Sequence, residues 1–275
     1  MQIIQKTLLA STLALGTAMA SHTALAADAI IIEEDPVPVE ERIENGWSIA
    51  IDPLYGWLPG MNGTLAGANG NSVSFDVTTK DILDNLDEFL HALDGLYMGS
   101  GEIRYNEYGF MWDIVYLNLG ASAEFGNVIN GALDASFKVS MSTFAGSYRF
   151  YESATSYADV FAGIRVHDVD IDLDVTIGPA SANPSAGDTW VDPIIGIKGL
   201  HHFNQNWFVK GSALYGGFGV GSDHSYDVAG FVGYETAKGT EIYGGWRVAG
   251  ADYSSDDFEW DVQFTGPMLG LTFKF

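Results

Sequence analysis

Residues 257 to 275, DFEWDVQFTGPMLGLTFKF, carry a regular alternation of apolar and polar side chains. In the second half one face is wholly apolar and the other small or polar, with Leu269, Leu271, Phe273 and Phe275 against Gly270, Thr272 and Lys274. A two-residue period with one apolar face predicts a β-strand. The apolar face changes parity between Phe264 and Leu269, which predicts a bulge at Gly266-Pro267.

The same period recurs upstream. In residues 108–119, Phe110 and Trp112 share one face and Asp113 lies opposite. A soluble sandwich alternates in this way as well, with a polar face towards water. Charged residues on one face and Trp or Tyr near the strand ends on the other are typical of a barrel wall that faces lipid. We therefore predict a transmembrane barrel.

The first predicted strand runs from Trp47 to Trp57. Its odd positions are apolar, so Tyr55 and Trp57 are expected on the outer face with Trp47, and Asp52 on the inner face. The last strand is expected to close the barrel against this one.

Connections of different length alternate along the chain, as periplasmic turns and extracellular loops do in outer-membrane barrels. Short connections are expected near 106–107, 152–156, 204–205 and 237–239, and mostly longer ones at 59–94, 120–132, 171–187, 219–224 and 252–257. The prediction is an all-β fold, a single antiparallel transmembrane β-barrel of about ten strands, with eight to twelve as the range. The strands are expected near 47–58, 95–105, 108–119, 134–150, 157–170, 188–201, 206–218, 225–236, 240–252 and 258–275.

The first long connection contains a predicted short helix over residues 79–90. Ile82, Leu86 and Phe89 recur at helical spacing, and Thr78 or Thr79 is a suitable N-cap. The apolar stripe is expected to pack on the barrel mouth or into the lumen.

The start of the sequence predicts export. Residues 1–26 combine Lys6, an apolar run too short to span a bilayer, and the small-residue site Ala24-Leu25-Ala26, as a cleaved signal peptide does. Residues 27–45 are rich in acids and proline and predict a flexible periplasmic leader. The barrel is expected to occupy 46–275.

The composition of the chain argues against several classes of ligand and site. The formal net charge of −24 repels nucleic acid, and anionic head groups also unless divalent cations intervene. The chain has no cysteine, so disulfides, a thiol nucleophile and cysteine-based metal sites are excluded. The sequence carries no signal for an oligomeric state.

Several motifs resemble those of Gram-negative outer-membrane β-barrel proteins. Gly270-x-x-Phe273-x-Phe275 resembles the carboxyl-terminal insertion signal of that class, although Met268 stands where a polar residue is usual. Residues 81–86, 190–196 and 216–223 look like segments of a bacterial outer-membrane barrel family without an established activity. The resemblance implies a place in the outer membrane, contact with its lipid and lipopolysaccharide, and insertion by the barrel-assembly machinery.

Charged residues inside the predicted strands suggest a lumen network. A barrel of about ten strands encloses little more than its own side chains, so paired charges would leave it rigid and largely closed. This favours a non-enzymatic structural or surface-binding role, with a narrow porin-like channel for small solutes as the alternative. The predicted network comprises Asp52, Glu102, Arg104, Asp113, Arg149, Arg165, Asp192, Lys198, Lys210 and Arg247.

Four carboxylates, Asp168, Asp170, Asp172 and Asp174, alternate with apolar residues along one strand edge. Such a row repels itself unless cations lie beside it, and carboxylates are good ligands for hard cations. Weak calcium binding, with ions shared by lipopolysaccharide phosphates, is one hypothesis, and a solvated strand is the simpler one. No other cofactor is expected.

A second functional alternative is an outer-membrane hydrolase with its site at the extracellular rim. His224 beside Asp223, and His167 beside Asp168, are predicted near that rim. Proteases of the omptin type place a His-Asp pair there, but their aspartate-x-histidine spacing is absent. Adjacent residues of a strand face opposite ways, so the sequence does not favour an enzyme.

Overall fold

Alternating segments joined by turns form ten antiparallel wall strands that close into one barrel, which confirms the predicted fold class. The computed structural model describes residues 46–67, 72–125, 131–177, 180–183 and 185–275, so the predicted signal peptide and leader lie outside the described residues. The wall strands are β1 (Trp47–Asp52), β5 (Leu93–Tyr105), β6 (Tyr108–Phe125), β7 (Gly131–Glu152), β8 (Ser156–Ile177), β10 (Ser185–His202), β11 (Trp207–Gly217), β12 (His224–Glu235), β13 (Thr240–Ser254) and β14 (Phe258–Lys274). The accessory elements are β2 (Gly56–Trp57), β3 (Gly60–Gly67), β4 (Ser72–Val77), β9 (Ala180–Ala182), α1 (Thr79–Asp84) and α2 (Leu86–Ala92). No helix within these described ranges is long and apolar enough to cross a membrane.

The last strand closes the barrel against the first, as predicted. β14 pairs with β1 at Ala50↔Lys274 and Ile51↔Phe273. Further along, β14 pairs with β2 and then with β3, so most of its edge is covered by the first segment of the chain.

The first strand is shorter than predicted. β1 ends at Asp52, before Pro53, which lacks the N–H that a sheet ladder needs. The chain then turns inward, and the Tyr55 and Trp57 side chains are buried inside the barrel, at 2% and 4% exposure. Their predicted outward orientation is wrong, because the irregularity at Pro53 changes which face the following residues occupy.

The barrel has two different ends. The turn end carries the connections at 106–107, 153–155, 203–206 and 236–239, together with the last residue of the chain. The loop end carries β3, β4, α1 and α2. The long connections predicted at 120–132 and 171–187 are largely strand, because β6, β7 and β8 continue well towards the loop end.

Strand β14 runs without a bulge. Its register with β13 is continuous from Ser254↔Glu259 to Thr240↔Phe273, so the predicted bulge at Gly266-Pro267 is wrong. All even positions face inward along its length, and all odd positions face outward. The inward residues are apolar near the loop end, and the outward residues are apolar near the turn end. The parity change in the sequence therefore reflects a change in the environment of the two strand faces, and the backbone of the strand stays regular.

The same inversion occurs on β8. Val160 and Ile164 face outward near the turn end, whereas Asp168 and Asp170 occupy the same face further along. We call the turn-end half of the wall the belt and the loop-end half the collar. The belt is polar inside and apolar outside, and the collar is apolar inside and polar outside. Exposed outward side chains of the belt include Trp47, Tyr105, Tyr108, Phe150, Ile195, Ile197, Trp207, Val232, Ile242, Trp246, Leu269 and Leu271.

The predicted helix is present as α1 and α2, and Thr78 caps α1. The Asp81 amide donates to the Thr78 hydroxyl, and the Thr78 amide donates to the Asp81 carboxylate, as in a capping box. The apolar stripe packs only in part, because Ile82 and Phe89 are half-buried whereas Leu83, Leu86 and Leu90 are 53%, 40% and 53% exposed.

Candidate functional site

The lumen of the belt holds a network of charged side chains. Antiparallel strands place every second residue inside, so charges from distant parts of the chain meet there. Each of the cations lies within 4.0 Å of a carboxylate; they are Arg104, Arg149, Arg165, Lys198, Lys210, Arg247 and Lys274. The network divides into three clusters.

The first cluster is centred on the fully buried Asp159. Its carboxylate accepts hydrogen bonds from Arg104 Nη2 at 2.6 Å and from Arg149 Nε at 2.9 Å. Glu102 accepts from Arg104 Nη2 at 2.7 Å and from Lys198 Nζ at 2.5 Å. Two carboxylates and three cations therefore form one connected group.

The second cluster is centred on Asp227, which is also buried. Arg165 Nη2 lies 2.8 Å from Asp227 Oδ2, and Arg247 Nη2 lies 2.7 Å from the same oxygen. Arg247 Nη2 also donates to Asp113 Oδ1 at 2.6 Å, and the Tyr55 hydroxyl donates to Asp113 Oδ2 at 2.7 Å. The inward turn after Pro53 is what brings Tyr55 into this cluster.

The third cluster lies near the turn end. Glu241 bridges Lys210 Nζ at 3.0 Å and Lys274 Nζ at 2.8 Å. Lys210 also contacts the Thr272 hydroxyl at 3.2 Å, and Thr272 in turn donates to Asp52.

A cavity of about 230 Å³ remains between these clusters. Its lining includes cations and carboxylates of all three clusters, together with apolar side chains such as Phe161 and Leu214. Paired cations and carboxylates line the cavity without a dominant sign of charge.

Towards the loop end the lumen is filled by an apolar core. Trp260 and Phe264 of β14 pack in one cluster with Met98, Met141 and Trp190. Trp190 stacks between the His167 ring at 4.8 Å and the Tyr253 ring at 4.2 Å. The collar interior is therefore packed with side chains in the way of a soluble protein core.

The predicted network residues are mostly brought together. Nine of the ten lie in the three clusters, but Asp192 bonds to Ser222 and lies beside His167 at the collar. Sequence reasoning missed Asp159, Asp227, Glu241 and Lys274 as members. The sequence held a signal for three of them, since Asp159, Asp227 and Lys274 each lie between two apolar neighbours, as the predicted residues do; Glu241 follows Thr240 and lacks that signal.

The four carboxylates of the metal hypothesis lie on the outer face of β8. Lys138 Nζ lies 3.2 Å from Asp170 and 4.0 Å from Asp172, and Thr189 donates to Asp168. Cα atoms of successive residues on one strand face are about 7 Å apart, so the carboxylates form a row along the strand, whereas calcium takes about six to eight oxygen ligands that converge on one point. Within the residues described, no group of three or more His, Cys, Asp or Glu side chains is arranged to hold a metal.

The residues of the predicted insertion signal lie at the turn end of β14. Gly270 faces inward against the Tyr243 ring, where a Cβ would lie 2.2 Å from ring atoms, so no larger residue fits without a shift. Phe273 and Phe275 face outward, at 38% and 62% exposure. Their role as a signal for the assembly machinery stays a prediction.

An exposed histidine–carboxylate pair lies at the rim of the loop end. His224 Nδ1 lies 3.9 Å from Asp252 Oδ2 on the outer face of the collar. Burial and the neighbouring Asp261 raise the pKa of Asp252 above its usual value. His167 is instead buried under Trp190, and His201 and His202 lie at the turn end.

Comparison with known proteins supports the barrel fold, but it does not assign the chain to a family. No protein-family model matches the chain, and no curated protein does. The outer-membrane protease OmpT of Escherichia coli superimposes with a TM-score of 0.50 at 11% identity, over 83% of this chain and 96% of OmpT. The translocator domain of the autotransporter NalP from Neisseria meningitidis gives 0.36 at 11% identity, over 83% and 88%. A FadL homologue of Pseudomonas aeruginosa gives 0.28 at 7% identity, over 83% and 89%.

The closed antiparallel barrel with an apolar outer belt defines the class of the molecule. It has the fold of outer-membrane β-barrel proteins. Within that class the likeness to OmpT shows the fold alone, so activity has to be argued from the lumen and the rim.

Proposed function

We propose that this chain is an integral outer-membrane protein whose barrel does not conduct, with a structural or surface-binding role. The belt would lie in the bilayer, the turn end in the periplasm and the collar outside the cell. The apolar outward face of the belt and the short turns at one end support this orientation.

One observation carries the proposal, namely that the lumen is occupied at two successive levels. Salt bridges cross the belt, and the aromatic core fills the collar above them. An ion crossing the barrel would have to separate buried pairs and then displace packed rings, and both steps are costly.

Planar-bilayer recording tests the proposal. We expect the refolded protein to insert without steady conductance, with detergent buffer as the baseline and a heat-modifiable gel shift as evidence of folding. A steady ohmic current from the folded protein would contradict the proposal and favour the narrow-channel alternative.

The partner that best fits the collar exterior is lipopolysaccharide. Asp168, Asp170 and Asp172 rise from the edge of the belt on β8, and Glu259 and Asp261 do so on β14. These carboxylates would reach the phosphates of lipopolysaccharide through shared divalent cations, with the lipid phosphates supplying the ligands that the protein lacks.

A rim hydrolase is the second candidate, and the His224–Asp252 pair is the observation that favours it. A carboxylate near a histidine can orient it as a general base. Cleavage of fluorogenic peptides by the folded protein, lost in His224→Ala and kept in His201→Ala at the opposite end, would establish this activity. Absence of cleavage by the wild type would remove it.

A further inference from the structure

Near the loop end, the barrel wall is interrupted between β4 and β5. β1 covers the edge of β5 only as far as Ser100, and the Tyr55 amide then donates to the Met98 carbonyl. Beyond that point, no described strand pairs with this edge of β5 over residues 93–97. β4 pairs with β3 on one side and, among the described strands, with nothing on the other. We call this interruption between β4 and β5 the seam.

The chain between β4 and β5 is the helical segment α1–α2. Its residues lie beside the seam, since α1 contacts β3 while α2 contacts β5 and β6. Leu83, Leu86 and Leu90 are exposed although the segment is otherwise rich in acids. Three exposed leucines on two short helices are costly in water and favourable in lipid.

Hydrogen bonds fix the height of the segment on the wall. The Thr79 hydroxyl lies at hydrogen-bond distance from the carbonyls of Leu58 and Thr265, at 3.2 and 3.3 Å. Thr265 precedes Pro267, Leu269 and Leu271, which are the outward residues of the belt on β14. The helical segment therefore begins at the border of belt and collar, where the outer surface of the bilayer would lie under the proposed function.

We propose that α1–α2 is a lipid-binding surface that lies in the outer leaflet interface and covers the seam. Its partner is the acyl-chain region of the lipid, and the leucine face continues the apolar surface of the belt. Helices with one apolar face bind in the plane of an interface in this way. Open strand edges do not face hydrocarbon, so a covering element is needed at this height. The inference rests on the proposed membrane location of the belt.

Site-directed spin labelling tests it, because the chain has no native cysteine. Nitroxide labels are placed in the full-length protein at Leu83→Cys, Leu86→Cys and Leu90→Cys, and as matched controls at Asp84→Cys and Glu88→Cys. Leu269→Cys in the belt and Val220→Cys in an outer turn, at 70% and 75% exposure, calibrate lipid and water. Each variant is refolded into phosphatidylcholine vesicles, and power saturation measures collisions with oxygen and with a neutral nickel chelate.

We expect the oxygen-to-nickel accessibility ratio at the three leucine positions to resemble the ratio at Leu269. At Asp84 and Glu88, the ratio should resemble that at Val220. Equal nickel accessibility at leucine and acidic positions would show a solvated segment and overturn the proposal. Exclusion of both reagents at the leucines would assign them to protein contacts, such as a second copy, and would overturn it too. A water-like ratio at Leu269 itself would contradict the proposed function instead, so the two failures are distinguishable.

Discussion

At the scale of single residues, Asp227 shows how the lumen is held together. Its carboxylate lies between the guanidinium groups of Arg165 and Arg247, and all three side chains are buried. A buried charge is expensive unless it is paired, so removing one partner leaves the others uncompensated.

Asp227→Asn is expected to lower the free energy of unfolding by about 3–5 kcal/mol, the range for breaking a buried ion pair. Urea titration of the refolded protein in vesicles measures it. Asp261→Asn is the matched control, since that carboxylate is exposed on the collar and should change stability by less than about 0.5 kcal/mol. Equal losses in the two variants would show that the network does not stabilise the barrel.

At the scale of elements, β14 shows which predictions from the sequence are correct and which are not. Its period of two predicts a strand correctly, and its turn-end half correctly predicts an apolar outer face. Trp260 and Phe264 belong to the opposite face, and a bulge is required only if the whole strand has one environment. The strand is regular, and the environment changes along it. A switch of the apolar residues from odd to even positions in a barrel strand therefore has two possible physical causes, a bulge or a change of environment along a regular strand. The pairing register distinguishes them, and the sequence does not.

The helix α1 gives a prediction about pH. Hydrogen bonds from the Thr78 hydroxyl and amide lower the pKa of Asp81. A carboxylate with a lowered pKa contributes stability above its unfolded pKa, ordinarily about 3.9, and loses it as pH falls through the folded value. We expect amide-exchange protection in α1, corrected for intrinsic rates, to be constant above about pH 5 and to fall below about pH 4.

The matched variant removes the cap. Thr78→Ala should raise α1 exchange roughly fivefold at neutral pH, a ratio typical of a lost N-cap, and should weaken its acid dependence. Unchanged exchange in the variant would mean that tertiary contacts, not the capping box, hold the helix.

The acidic face of β8 gives a further prediction. Because Lys138 already pairs with Asp170 and the described residues hold no group of three or more His, Cys, Asp or Glu side chains arranged around one point, we expect no saturable heat when millimolar calcium is titrated into the protein alone. Saturable heat in the wild type, lost in Asp168→Asn/Asp170→Asn/Asp172→Asn, would restore the hypothesis of a protein calcium site.

At the scale of the whole molecule, alternation and turn spacing predict the barrel, the strand number and the closure of β14 on β1. They do not predict that Tyr55 and Trp57 turn inward after Pro53, because that depends on where β1 loses its partner. Alternation and turn spacing also do not predict which lumen charges pair with each other. Asp159 of β8 meets Arg104 of β5 across the two intervening strands β6 and β7, and only the closed barrel brings such positions together.

Under the proposed function, the belt spans the outer membrane and the collar stands outside the cell. Cysteine labelling in intact cells with a membrane-impermeant maleimide tests it most directly, with variants Glu259→Cys, Leu271→Cys and Lys238→Cys. We predict that Glu259→Cys reacts at once, that Lys238→Cys reacts only after the outer membrane is permeabilised, and that Leu271→Cys reacts in neither case. Reaction of Leu271→Cys at the rate of Glu259→Cys, or of Lys238→Cys in intact cells, would contradict the proposed orientation of the barrel in the membrane.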